Sequence, residues 1–121
     1  MKQLRIGVIF FVSMMVVTGL ATSCFATADC SSAQVMMIGT NPGAGGVGSS
    51  GIKVSLKNLS GHTVGTDWLI NTNRMFFLTT DLGDQGLATL LTAMSLNKPV
   101  WVRIAGNAEP ASLISIIYLS N

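Results

Sequence analysis

Residues 84 to 104 of the chain read DQGLATLLTAMSLNKPVWVRI, in which a proline separates a helix-like phrase from a strand-like one. The first part predicts an amphipathic helix over about residues 84–96, because its large apolar residues fall at i, i+3, i+4 and i+7. These residues are Leu87, Leu90, Leu91 and Met94. Asp81 or Asp84 is expected to cap the helix start, where a carboxylate meets free amide groups. Pro99 ends the pattern because it cannot continue a helix.

The residues after Pro99 predict a strand with two different faces. Apolar residues at positions 100, 102 and 104 alternate with Trp101 and Arg103, which is the period of two expected of a β-strand. Similar runs predict further strands at residues 34–38, 52–57, 63–70, 75–80 and 113–119. We therefore expect a mainly β fold with one helix, α+β in class, with five to six strands in a small antiparallel sheet. This sheet is expected to curl, or to close as an OB-like barrel, and to pack on the helix, since both must share one core.

Glycine dominates residues 39–51, which are therefore expected to form a flexible loop. The segment from Gly43 to Gly48 matches the pattern G-x-G-x-x-G letter by letter. A dinucleotide site needs a helix directly after this pattern, whereas a strand-like segment follows here. A phosphate loop needs a lysine where this chain has Ser49. No nucleotide or other cofactor is expected.

Residues 1–28 have the order of a secretory signal peptide. A basic start precedes an apolar run, and the small-residue motif Ala26-x-Ala28 closes the segment. We expect cleavage after Ala28 and a secreted or periplasmic protein with no membrane insertion after the cleavage. The alternatives are an uncleaved membrane anchor and a lipoprotein that is acylated at Cys24.

Removal of this segment changes the charge balance, because Lys2 and Arg5 leave with it. Five basic and five acidic residues remain. A neutral domain lacks the clustered lysines and arginines that nucleic acid requires, so no nucleic-acid partner is expected. Residues 29–121 are enough for one small β-rich domain, and Cys30 is its one cysteine.

Few residues offer acid–base or metal chemistry. His62 is the single histidine, so no histidine pair exists to hold a metal ion. No nucleophile motif accompanies His62 and Asp67, and a catalytic triad is therefore not expected. Asp81 and Asp84 are interpreted as helix caps rather than as paired catalytic carboxylates. We expect no catalytic and no metal-binding residues, and a protein that is not an enzyme.

Aromatic residues are the candidates for a binding or subunit-contact surface, because their rings stack on sugars and anchor interfaces. Trp101 stands on the strand face opposite the valines, and Arg103 on the same face is placed to stack on it or to hold a carboxylate. The alternative is a sheet that is buried on both faces, with Trp101 in the core. The expected surface consists of Trp68, Trp101, Arg103 and Tyr118.

The segment from Met75 to Asn121 resembles small exported bacterial proteins with the B-subunit-like domain of subtilase and pertussis-type toxins. The resemblance lies in the phrase LLTAMSLNKPVWVRI at residues 90–104, followed by ISIIYL at residues 114–119. That group implies an OB-type barrel of five to six strands with one helix, assembly into a ring and binding of glycans. The chain lacks a second mature cysteine for the disulfide that is common in the group, and no glycan-binding residue carries over.

Together these observations predict an exported, non-enzymatic binding or assembly protein of the B-subunit-like kind. Its expected partners are a glycan or a protein, and further copies of itself in a homo-oligomer. The alternative function is a small structural protein of the cell envelope, held there as a lipoprotein through Cys24.

Overall fold

A computed structural model describes residues 26–120, which form a closed barrel and one helix. In chain order the elements are β1 (Thr27–Thr40), β2 (Ser49–Asn58), β3 (Asn73–Thr79), α1 (Gly83–Leu96), β4 (Val100–Ala105) and β5 (Leu113–Leu119). The strands close in the order β1-β2-β3-β5-β4, and β4 pairs back to β1. The predicted fold, mainly β with an OB-like barrel and one helix, is confirmed. Most of the predicted signal peptide, residues 1–25, lies outside the described residues.

The sheet is mixed, where the sequence predicted an antiparallel one. β3 and β5 run parallel through the pairs Phe77–Leu113 and Leu78–Ile114, whereas the other strand pairs are antiparallel. The chain path explains this difference. Helix α1 carries the chain from β3 to β4, and β5 then returns into the space between these two strands. The antiparallel pairs β3–β2, β2–β1 and β1–β4 make β3 and β4 run in opposite directions. Because β5 is antiparallel to β4, it runs in the same direction as β3.

Strand β1 pairs with β4 along its first part and with β2 along its second part. Two irregularities in its register bend it, so that one strand serves both neighbours. One of them, between Val35 and Met37, leaves both Met36 and Met37 exposed. The sequence predicted only residues 34–38 of this strand, because residues 27–33 are mostly small or polar and carry no strong apolar alternation.

The glycine-rich connection between β1 and β2 is shorter than predicted, because both strands extend into residues 39–51. Its backbone passes over the outer side of β3, where the Thr80 amide donates a hydrogen bond to the Gly48 carbonyl at 2.8 Å. Gly45 lies so close to Phe77 that a Cβ atom on it would stand 2.8 Å from the ring. With a φ of 89°, Gly45 serves both the turn and this contact. The connection therefore covers the Phe77 side chain.

Residues 63–70 do not form the predicted strand. They hold one isolated bridge, between Val64 and Trp68, inside the connection from β2 to β3. The buried side chain of Asn58 accounts for this, since its Nδ2 donates to the carbonyl oxygens of His62 and Trp68 at 2.9 and 3.0 Å. A side-chain amide thus satisfies backbone groups that a strand would pair with a neighbouring strand, and the segment curls.

Helix α1 lies where the sequence predicts it, but it contacts the barrel through a different face. Its buried residues are Gly86, Leu90 and Ala93. Leu91 and Met94 of the predicted stripe are 48% and 40% exposed. Small residues explain the difference, because a Cβ atom on Gly86 would stand 2.7 Å from the Leu82 side chain and 3.0 Å from that of Leu78. The helix approaches the barrel closely at Gly86 and Ala93, on either side of the buried Leu90. Leu91 and Met94 of the predicted stripe therefore face solvent.

The two ends of α1 differ in how well the sequence predicts them. Neither Asp81 nor Asp84 caps the start, which corrects that prediction: Leu82 occupies the N-cap position without a side-chain hydrogen bond. The Leu82 amide donates instead to the Thr79 hydroxyl at 3.3 Å. At the other end, Asn97 adopts the left-handed conformation with a φ of 51° and closes the helix, two residues before the predicted stop at Pro99.

The core fills the barrel interior and the space under α1. Its largest fully buried side chains include Trp68, Phe76, Leu56, Leu78, Leu90, Ile104 and Ile114. Among residues 26–120, every buried side-chain polar atom has a hydrogen-bond partner. No helix within this range combines the length and the apolar character that crossing a membrane requires.

Candidate binding surface

Four side chains meet on the outer face of β1, β4 and β5, and we call them the aromatic surface: Asp29, Trp101, Arg103 and Tyr118. Strand register brings them together. Trp101 lies opposite Tyr118 across the β4–β5 pair, and Arg103 lies opposite Asp29 across the β4–β1 pair. The alternate residues of β4 are fully buried, so Trp101 and Arg103 face outward. The prediction that Trp101 stands on the face opposite the valines is confirmed.

The rings of Trp101 and Tyr118 form the apolar part of this surface. Their centroids lie 5.7 Å apart, and their planes are tilted by 34°. Tyr118 is 60% exposed, and Trp101 is half-buried. Because both residues belong to paired strands of a closed barrel, the rings are presented from a rigid support.

Arg103 and Asp29 form the polar part. Arg103 donates two hydrogen bonds to the Asp29 carboxylate, from Nε to Oδ1 at 2.8 Å and from Nη2 to Oδ2 at 3.0 Å. The guanidinium carbon of the same side chain lies 5.5 Å from the centroid of the Trp101 ring. The arginine therefore stacks on the tryptophan and also holds a carboxylate, the two roles that the sequence left open.

This ion pair favours the charged forms of Asp29 and Arg103. The hydrogen bonds from Arg103 lower the pKa of Asp29, against a smaller opposing effect of burial. The same hydrogen bonds raise the pKa of Arg103. Both groups are therefore charged at neutral pH, and a permanent pair of opposite charges lies beside the two rings.

Trp68 does not belong to the aromatic surface, which corrects the prediction that included it. The side chain is fully buried, and its ring meets Phe76 edge-on at a centroid distance of 5.1 Å. Its indole nitrogen donates to the Thr72 carbonyl at 3.0 Å, so its one polar group is satisfied inside the protein. The ring fills the space between the curled residues 63–70 and the barrel, where a small side chain would leave a void.

An open cleft on the outer face of β1, β2 and β3 is a second candidate surface. Its volume is about 490 Å³, and its lining residues are Met37, Gly39, Thr40, Asn41, Lys53, Ser55 and Met75. This volume is within the range of small-molecule sites. The face of strands 2 and 3 and the first connection are also where many OB folds bind oligonucleotides or oligosaccharides.

The sequence does not predict this cleft. Its one signal, the alternation of Lys53 and Ser55 with buried apolar residues, also fits an ordinary solvated strand face. Met37 lines the cleft because the register of β1 is irregular next to it, and no pattern in the sequence predicts this irregularity.

A buried polar cluster around Asn58 has a structural role. Its Oδ1 accepts hydrogen bonds from the Ser60 amide and hydroxyl at 2.9 and 2.6 Å. The Cys30 thiol lies 3.7 Å from the same oxygen and 3.3 Å from the Ser32 carbonyl. Burial raises the pKa of the Cys30 thiol, which is therefore protonated at neutral pH and a poor nucleophile. The cluster ties the β2–β3 connection to the barrel.

The described part of the chain, residues 26–120, holds no group of three or more His, Cys, Asp or Glu side chains that is close enough to bind a metal ion. His62 lies exposed in the β2–β3 connection, where its carbonyl oxygen accepts hydrogen bonds from Asn58 and Ser60.

No family model, curated protein or solved structure matches this chain. Its class is therefore defined by its own fold and surfaces: a small OB-like barrel that presents two aromatic rings and an ion pair on one face and an open cleft on another.

Proposed function

We propose that this protein is an exported, non-enzymatic binding protein that contacts a glycan through the aromatic surface. One observation carries the proposal. Trp101, Tyr118 and the Arg103–Asp29 pair stand side by side on one rigid face of the barrel. Export is supported by the signal-like order of residues 1–28.

The chemistry of a sugar matches both parts of this surface. Sugar rings have apolar C–H faces, for which Trp101 and Tyr118 offer aromatic faces. Sugar hydroxyls donate and accept hydrogen bonds, for which Asp29 offers carboxylate oxygens and Arg103 offers N–H groups. The ion pair occupies Nε and Nη2 of Arg103, which leaves Nη1 for a ligand acceptor. Because the pair already orders both side chains, binding costs little additional side-chain entropy.

The proposal includes a homo-oligomer. Helix α1 leaves Leu91, Met94 and Leu96 exposed, and Leu119 of β5 is exposed as well. Several apolar side chains on one exposed element favour burial against a second copy of the chain. An oligomer also presents several copies of the aromatic surface, which raises the avidity for a multivalent glycan surface.

A glycan array tests the proposed site. We expect the wild type to bind a defined set of glycans, and Trp101→Ala to lose at least about tenfold of that signal, since a stacked ring is a typical hot spot. Lys53→Ala in the cleft is the matched control and is expected to keep the wild-type pattern. The thermal midpoint and the oligomer mass of each variant show whether it remains folded and assembled.

Other patterns of glycan binding would contradict the proposed site. If Lys53→Ala loses the signal and Trp101→Ala keeps it, the cleft is the glycan site. If the wild type binds no glycan and Trp101→Ala dissociates the oligomer, the aromatic surface is a subunit contact and the glycan proposal is wrong.

A further inference from the structure

We infer that the open cleft on the outer face of β1, β2 and β3 is a second binding site, whose ligand is a small dissolved organic anion with an apolar tail. This site is independent of the proposed glycan surface, because it lies on another face of the barrel and requires neither a glycan nor an oligomer. Three features support it: the shape of the cleft, its methionine walls and the position of one lysine.

Strand register explains why this face is concave. Ser55 of the middle strand β2 lies between Met37 of β1 and Met75 of β3, and all three line the cleft. Two residues away along β2, Lys53 lies opposite Gly39 of β1. Apart from its chain neighbours, no heavy atom lies within 4 Å of the position that a Cβ atom on Gly39 would take. Ser55 and Gly39 therefore form a low floor between two methionine walls.

The walls offer an apolar contact surface. Met37 is 61% exposed, and Met75 is half-buried. An apolar ligand that covers these side chains removes apolar surface from water, which favours binding. Methionine is unbranched and flexible, so two facing methionines adapt to an alkyl chain or a ring between them. The apolar tail of the ligand therefore lies over Ser55.

Lys53 is the one charged residue among those that line the cleft. In the part of the chain that the structure describes, the ion pairs are formed by Arg74 and Arg103, and Lys53 takes part in neither. Its cross-strand neighbours, Gly39 and Phe77, carry no charge. An ammonium group without a carboxylate partner, beside apolar walls, favours a ligand with an anionic head group.

The lining residues do not suit the polymers that many OB folds bind on this face. Single-stranded nucleic acid requires several cations along its backbone and aromatic rings for its bases. The lining of the cleft holds one cation and no aromatic ring. A sugar likewise finds no ring on which to stack. The volume of about 490 Å³ fits a small molecule.

Titration with octanoate tests the site, since octanoate joins one carboxylate to an apolar chain. The purified protein carries ¹³C in its methionine methyl groups, and octanoate stays below its micelle concentration. We expect saturable shifts of the Met37 and Met75 signals. The signal of Met94, an exposed residue of α1, is the internal control and is expected to stay unchanged. Octylammonium, with a similar chain and the opposite charge, is expected to bind at least about tenfold more weakly.

Two variants with a matched control separate the charge from the shape. Lys53→Gln is expected to weaken octanoate binding by about three- to tenfold, the effect of one partly exposed charge-assisted hydrogen bond. Lys57→Gln, on the same outer face of β2 but outside the lining, is the control and is expected to bind as the wild type does. Gly39→Leu fills the floor and is expected to weaken binding by at least about tenfold. Gly39 does not have a positive φ, so this variant is expected to fold, and its thermal midpoint checks this.

Three results would overturn the site. The first is the absence of saturable shifts in the wild type, which leaves the glycan proposal untouched. The second is a Met94 shift as large as that of Met37, because octanoate would then coat apolar surface without selecting the cleft. The third is equal binding by Lys53→Gln and Lys57→Gln, because the charge of the cleft would then play no part.

Discussion

Leu90 and Leu91 are neighbours in the sequence and have opposite environments. Leu90 is fully buried on the side of α1 that contacts the barrel, and Leu91 is 48% exposed. The sequence pattern assigns both to one apolar stripe, because hydrophobicity alone does not show where a helix rests. The small residues Gly86 and Ala93 allow the closest approach, and they rotate the contact face away from Leu91.

This difference predicts unequal effects of the same substitution. We expect Leu90→Ala to lower the free energy of unfolding by about 2–5 kcal/mol, because it leaves a cavity in the core. Leu91→Ala is the matched control and is expected to change it by no more than about 0.5 kcal/mol. Urea unfolding followed by circular dichroism measures both values. Equal losses in the two variants would mean that α1 packs through the leucine stripe after all.

The pH dependence of stability follows from the Asp29 carboxyl group. Because Arg103 lowers the pKa of Asp29 in the folded state, the pair contributes stability above the unfolded pKa of about 3.9, and this contribution is lost as the pH falls through the folded value. We expect Asp29→Asn to lower the thermal midpoint slightly at pH 7, and the difference from wild type to disappear near pH 2. The effect is small because the pair is exposed to solvent and screened by salt.

A double-variant cycle isolates this contribution. In an Arg103→Gln background, Asp29→Asn is expected to have no remaining effect that depends on pH in this range. A pH-dependent difference that persists without Arg103 would show that another group lowers the pKa of Asp29.

At the scale of elements, the β2–β3 connection shows how a side chain can replace a strand. Asn58 satisfies carbonyl groups of the connection, and Trp68 fills the space beneath it. Gly65 completes the packing, since a Cβ atom on it would clash with the Asn107 carbonyl group. The connection is therefore held to the barrel at several points.

Two glycines of this connection provide a matched test. Gly61 and Gly65 both have positive φ angles, of 84° and 62°, but only Gly65 is packed against another backbone. We expect Gly61→Ala to cost about 1–2 kcal/mol, the conformational penalty of a left-handed residue. Gly65→Ala is expected to cost clearly more, because Asn107 must also move. Thermal unfolding measures both, and equal midpoints would contradict the close contact.

The sequence predicts strands well where one face is exposed to water. It predicts them poorly where a side chain from another segment takes the place of backbone pairing. Strands β2, β4 and β5 follow from their alternation or from β-branched runs, and α1 from its apolar period. The absence of a strand at residues 63–70 depends on Asn58, a residue outside the segment. The helix start was mispredicted because nearby carboxylates suggested a cap, whereas the Leu82 amide uses the Thr79 hydroxyl.

At the scale of the whole molecule, barrel closure brings distant residues together. Asp29 and Arg103 are 74 positions apart, and they meet because β4 pairs back to the first part of β1. The sequence predicts that Trp101 and Arg103 share a face, since that follows from alternation within one strand. It cannot predict Asp29 as the partner, because that requires the register of β1 against β4. The cleft likewise depends on the register of three strands.

The central claim is that the aromatic surface binds a glycan. It is tested most directly by calorimetric titration of the glycan that gives the highest array signal into the wild type and into Trp101→Ala. We expect saturable binding to the wild type, and a loss of affinity of at least about tenfold in Trp101→Ala, with the fold and the oligomer mass unchanged. Equal dissociation constants for the two proteins would show that the aromatic surface is not where the glycan binds.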